Sequence, residues 1–222
     1  VKRINTQIKS IVIFSFVGGF ISTVILASLF FGLSQILNLP IYFSYWLLVG
    51  ALLSPTDPIA GLGILPKAKV PVKTETKIVG ESLLNDGVGV VLFIALLDTL
   101  ESGSFNLPYF GLLFMQEAFG GIIMGLLLGY FLYILLKSID HYETEILLTL
   151  AFVMGGYALS KFLHVSGALA MVVMGLMVGN FRKEITMSDI TQEYVHKFWE
   201  LIDVILNAIL FILIAFVLLV ID

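Results

Sequence analysis

Stretches of eighteen or more predominantly apolar residues recur along this chain. The hydrocarbon core of a bilayer, roughly 30 Å thick, takes about 20 helical residues to cross, so runs of this length read as transmembrane helices. Composition agrees: 59% of the 222 residues are apolar and 13% are charged, against roughly 45–50% apolar in soluble domains. The formal charge of -4 carries little weight, because in a membrane protein the positions of Lys and Arg say more than their sum. With no cysteine, disulfides, thiolate zinc sites and iron–sulfur clusters are excluded. The chain does not start with Met, and its polar start, Val1 to Ser10, runs into a long span with no small-residue cleavage site. That does not read as a removable signal peptide.

The apolar runs and their polar breaks predict an all-α polytopic membrane protein of about seven transmembrane helices, near 11–37, 41–65, 78–98, 110–136, 146–163, 165–180 and 198–221. The fifth and sixth are separated only by Lys161 and His164, and a re-entrant hairpin is the alternative there. With a cytoplasmic N-terminus, Lys2, Arg3, Lys9, Lys67, Lys69, Lys73, Lys77, Lys137, Arg182, Lys183 and Lys197 all fall inside and only Lys161 outside. That asymmetry is the positive-inside pattern and supports the span count. The segment from Glu184 to Lys197, with Ile185, Met187 and Ile190 among polar residues, reads as an interfacial helix or loop. Gly121, Gly125 and Gly129 on one span, and Gly175 and Gly179 on another, read as close helix packing through small-xxx-small faces.

Ser54-Pro55-Thr56-Asp57-Pro58 should break the second helix, since proline removes a backbone donor and clashes with the preceding turn. Broken backbone at membrane depth is tolerated where it lines a cavity or is buried in protein, and transporters build ion sites from it. The next span carries Glu81-Ser82-Leu83-Leu84-Asn85-Asp86. With helix boundaries at Ile78 and Pro66, Asp86 and Asp57 lie at nearly equal depth, about 12 and 13 Å in, on antiparallel neighbours. An ionised carboxylate there is costly unless paired, protonated or holding a cation. Ser82 and Asp86 share one helix face; Glu81 and Asn85 form a second pair turned about 100° away. Asp86, Asp57, the Ser82 and Thr56 hydroxyls and freed carbonyls together match the oxygen donors that a small hard cation wants. Plainer roles stand beside these: helix capping for Thr56 and Asp57, a structural pair for Asp86, helix cross-linking for Asn85, and for Glu81 snorkelling or a pair with Lys77. His141, His164 and His196 fall at loops or span ends, which argues against a buried proton relay. Every Lys also lies in a loop or at a span end, which argues against a retinal Schiff base.

Thr56-Asp57-Pro58 on a proline-broken span, followed after a basic loop by Gly80-Glu81-Ser82-Leu83-Leu84-Asn85-Asp86-Gly87, resembles the monovalent cation:proton antiporter family, in particular the sodium/proton exchangers with an Asn-Asp pair. The later Phe198-Trp199-Glu200, with Asn207 and Phe211 beyond it, is similar to the same family. The resemblance implies part of an inverted-repeat antiporter fold, a secondary transporter rather than an enzyme, working by alternating access. It implies that Asp86 takes up sodium and protons in turn, with Ser82, Asp57 and Thr56 completing the sodium site. Asn85 then stands where electrogenic relatives hold a second carboxylate, so that exchange is electroneutral, and Glu81 pairs with an arginine from a late helix. No cofactor is expected beyond the transported ions, and no nucleic acid.

Family members have about twelve or thirteen spans in two inverted repeats; this chain covers roughly half, a single incomplete membrane domain. By the resemblance, 1–98 are core ion-site helices, 99–136 a linker helix, and 137–222 scaffold and dimerisation helices. A homodimer when full length, and a multi-pass place in the cell membrane with this segment's N-terminus cytoplasmic, are expected with it. Potassium/proton exchange is the alternative, because ligand identity does not set ion size. A truncated chain that inserts without transporting is the second alternative.

Overall fold

The computed structural model describes residues 10–56, 72–102, 106–181 and 189–220. All secondary structure among them is helical: α1 (Ser10–Ile36), with a π-helical turn at Phe14–Gly18, α2 (Phe43–Leu53), α3 (Val72–Glu101), α4 (Leu107–Lys137), α5 (Tyr142–Phe162), α6 (Gly167–Phe181) and α7 (Asp189–Val220). Five of them, α1, α3, α4, α5 and α7, are long and apolar enough to cross a membrane, while α2 and α6 are shorter apolar helices. Prolines and caps account for several ends. α2 stops at Leu53, before Pro55; Asn106 caps α4, accepting from the Tyr109 N–H at 3.3 Å with Pro108 in the first turn; and α5 closes through His164 at φ 55°, the left-handed residue that commonly ends a helix.

Helix α3 is the centre. Of its most apolar stretch 56% is buried, against 0% for α7. Leu84, Val88, Val91, Leu92, Ala95 and Leu96 meet Ile11 of α1, Ala51 of α2, Phe110, Phe114 and Ala118 of α4, and Leu169 of α6 in one cluster. A second, smaller cluster joins Leu132 and Leu136 of α4 to Met174 of α6.

The α4–α6 seam follows from the glycine spacing. A Cβ on Gly121 would lie 2.8 Å from the Ser166 carbonyl oxygen, on Gly125 2.4 Å from that of Ala170, and on Gly129 3.0 Å from Met177 Sδ. Positions four apart share a face, so hydrogen side chains there let the two backbones touch. Gly125→Leu is expected to cost about 1–3 kcal/mol or more by overpacking and to lower the thermal midpoint of the detergent-solubilised protein. Gly111→Leu, where a Cβ meets nothing within 4 Å, serves as the matched control.

Four sequence expectations need correction. Helix α3 begins at Val72 rather than near Ile78, because Lys73, Glu75 and Lys77 favour helix and no proline lies between Pro71 and Pro108. The stretch 189–197 is not a separate interfacial element but the start of the 32-residue α7, and His196 therefore lies inside a helix. Trp199 Nε1 donates to Thr149 Oγ1 at 3.3 Å and the Thr191 hydroxyl to Asp140 Oδ1 at 3.1 Å, fixing this first part of α7 on α5 and the turn before it. Gly175 and Gly179 do not mediate close packing: a Cβ on either meets nothing within 4 Å, and both line a cavity of about 480 Å³ shared with Gln192, His196 and Trp199. Finally, the Lys77 ammonium lies 4.3 Å from the centre of the Phe14 ring, a cation–π contact in place of an ion pair with Glu81.

A candidate cation site at the helix break

The end of α2 is carried across α3. Ser54 caps α2 and Pro55 bends the chain. The Pro55 ring then rests on Gly89, where a Cβ would stand 2.4 Å from its Cγ. Thr56 arrives beside Ser82. The Ser82 hydroxyl donates to the Thr56 carbonyl oxygen, and the Thr56 hydroxyl lies 3.3 Å from Ser82 Oγ. A carbonyl just past the end of α2 and a buried hydroxyl of α3 thus converge, oxygen donors of the kind that interrupted helices supply for cations.

Ser82 is buried and Asp86, one turn on, lies on the exposed face of this chain. Asp86 stands near the middle of α3, about 21 Å from its start at 1.5 Å per residue, deeper along the helix than the 12 Å expected from a start at Ile78. Asn85 turns the other way. It is 4% exposed, and its Oδ1 is buried without a hydrogen-bond partner among the described residues, 3.0 Å from where a Cβ of Gly19 would be. Glu81 is half-buried, and its backbone carbonyl accepts from the Ser15 hydroxyl at 2.9 Å. Asp57, the remaining expected ligand, lies outside the described residues.

Ser15, Gly19, Ser54 and Gly89 were not singled out from the sequence. A signal for the first two exists: Ile11, Ser15, Gly19, Thr23 and Ala27 recur every four residues and are all buried. Gly89 follows Asp86 in a Gly87-Val88-Gly89 run, but which glycine meets a proline ring is a tertiary fact.

The fold and this site define a class: a multi-pass α-helical membrane protein in which a helix ended by proline presents oxygen donors to a carboxylate-bearing neighbour. A family model described as sodium/hydrogen exchanger, transmembrane, matches residues 1–220. The chain belongs to that family. It is similar to the Na(+)/H(+) antiporter NhaP of Pseudomonas aeruginosa, 49% identical over 89% of this chain and 47% of the relative, and to the Na(+)/H(+) antiporter NhaH of Halobacillus dabanensis, 35% identical over 94% of this chain and 52% of the relative. The solved sodium proton antiporter MjNhaP1 of Methanocaldococcus jannaschii shares the fold with a TM-score of 0.67 at 24% identity, over 88% of this chain and 47% of that one. The chain thus spans about half the length of the relatives it matches.

Proposed function

We propose that this chain is the ion-site half of a sodium/proton antiporter, a secondary transporter working by alternating access. Asp86 is its exchanging group. Deprotonated, it holds sodium with the Ser82 hydroxyl, the Thr56 carbonyl and hydroxyl and Asp57; protonated, it releases the ion. Asn85 is neutral at either stage, so one titrating carboxylate trades one proton for one monovalent cation and the cycle is electroneutral. Glu81 supports the site by pairing with a cationic side chain from the part of the protein beyond this chain. Residues 1–98 form the core, 99–136 the linker and 137–222 scaffold and dimer-forming helices. The full-length protein is a homodimer in the cell membrane, with this segment's N-terminus on the cytoplasmic side.

The observation that carries the proposal is the meeting of Thr56 and Ser82 one turn from Asp86. Sodium as the coupling ion is favoured by the relatives, named as Na(+)/H(+) antiporters. The test is sodium-induced dequenching of a pH dye in everted vesicles carrying the full reading frame around this chain, repeated with lithium and potassium. Ser82→Ala is expected to raise the apparent KM for sodium by roughly three- to tenfold, the size of one ligand of hydrogen-bond strength, with the maximal rate retained. Dequenching by potassium alone would replace sodium in the proposal, and silence with every monovalent cation would overturn it.

A further inference from the structure

Helix α1 contributes no ligand to the proposed site, yet its one irregular turn and the residue that follows it touch both halves of it. Four residues of a regular α-helix advance about 400°, so buried positions spaced by four drift around the helix by about 40° at each step. The buried stripe Ile11, Ser15, Gly19, Thr23, Ala27 keeps that spacing. A π-helical turn at Phe14–Gly18, bonded i to i+5, takes back part of the drift and leaves Ser15 and Gly19 on the same side, toward α3 and the end of α2.

The two residues then act as a bracket. The Ser15 hydroxyl, fully buried, lies 2.9 Å from the carbonyl oxygens of Ile11 in its own helix and of Glu81 in α3. Its single proton serves both, and the Glu81 carbonyl heads the turn of α3 that holds Ser82 and Asn85. Four residues on, the Gly19 carbonyl oxygen accepts from the Ser54 hydroxyl at 3.0 Å, at the last residue before Pro55. A Cβ at Gly19 would press on Asn85 Oδ1, so this stretch of α1 is held against the face of α3 behind the site. Ser82 and Thr56 are therefore set at their spacing by a third helix, through one hydrogen bond to each side.

We infer that the π-helical turn of α1 is a positioning element for the cation site, with Ser15 and Ser54 as its two attachment points; this rests on the sodium/proton antiporter assignment of Ser82 and Asp86. Neither residue reaches the ion. Each fixes one of the two backbones whose oxygens do.

The test uses the full-length protein in proteoliposomes, with sodium as the probe and initial exchange rate as the readout. Ser15→Ala is expected to raise the apparent KM for sodium roughly three- to tenfold, as loss of one buried hydrogen bond would, with the maximal rate kept within about twofold. Ser15→Thr, which keeps the hydroxyl, should restore it. Ser54→Ala should act in the same direction. The double variant should fall short of the product of the two single effects, because both remove the same bracket. Ser28→Ala, whose hydroxyl bonds only the Val24 carbonyl of its own helix, should be silent. An unchanged KM in Ser15→Ala, a multiplicative double variant, or a loss confined to the maximal rate would each overturn the inference. Should Ser15→Ala fail to give a monodisperse protein, the Ser15→Thr and Ser54→Ala pair decides, and wild-type KM in Ser54→Ala overturns it. Asp86→Asn is run beside them. Retained exchange there rejects the antiporter assignment itself, whereas lost exchange there with a wild-type Ser15→Ala rejects only the bracket.

Discussion

Asp86→Asn in the full reading frame is expected to reduce sodium-driven proton movement to the background of empty vesicles at every pH. The expectation comes from the chemistry of coupling. Exchange requires a group that holds a proton in one stage and a cation in the next, and asparagine, nearly the same size and shape, does neither. A carboxylate at the middle of α3 is costly inside a bilayer unless it is neutralised, so in the proposed cycle the helix bundle switches only when Asp86 carries a proton or a cation. With asparagine the site is permanently neutral and carries neither ion across. The measurement is dye dequenching on a sodium pulse in vesicles with matched amounts of protein, together with size-exclusion profiles showing that the variant folds. Exchange at the normal rate in a well-folded Asp86→Asn protein would reject the assignment.

Gly89→Ala is the second large effect, and it involves no ligand at all. The added methyl would stand 2.4 Å from Cγ of Pro55. A flexible side chain would swing away; a pyrrolidine ring locked to the backbone does not, so the end of α2 must lift off α3. Thr56 is the next residue, and its carbonyl then parts from the Ser82 hydroxyl. Misplacement of a reacting geometry by about 1 Å commonly costs on the order of a hundredfold. A ten- to hundredfold fall in exchange at fixed sodium is therefore expected, with membrane insertion and yield preserved. Gly111→Ala, in open space, should be indistinguishable from wild type. Wild-type kinetics in Gly89→Ala would show that the seat of Pro55 does not govern the spacing of Thr56 and Ser82.

What the sequence made legible was local or periodic. The end of α2 followed from proline, whose effect on backbone needs no tertiary knowledge; Thr56 and Ser82 were named among possible oxygen donors, but their direct hydrogen bond is a tertiary fact. The glycines at 121, 125 and 129 packed as their spacing suggested, yet those at 175 and 179, equally spaced, line a void. The difference lies in what stands opposite: Ser166, Ala170 and Met177 in one case, open space in the other. Charged residues misled twice in the same way. Lys73 and Lys77 in the first turns of α3, and Glu193 and Lys197 in α7, read as loop or interface by polarity, but all are good helix formers, and Glu193 and Lys197 close an i, i+4 pair at 2.6 Å on the exposed side. The α1 stripe was visible as small residues four apart, but the π-helical turn within it, and the division of the stripe between α3 at Ser15 and Gly19 and α2 at Thr23 and Ala27, were not.

The continuity of α7 bears on mechanics. Its 32 residues make a rod about 48 Å long, well beyond the roughly 30 Å that the hydrocarbon core occupies. The polar first turns are continuous with the apolar remainder, so they cannot lie flat on the membrane surface while the rest crosses it; the excess length is taken up by tilt or by extension past the hydrocarbon core. With Thr191 tied to Asp140 and Trp199 tied to Thr149, any change in the tilt of α7 is passed to α5 as well.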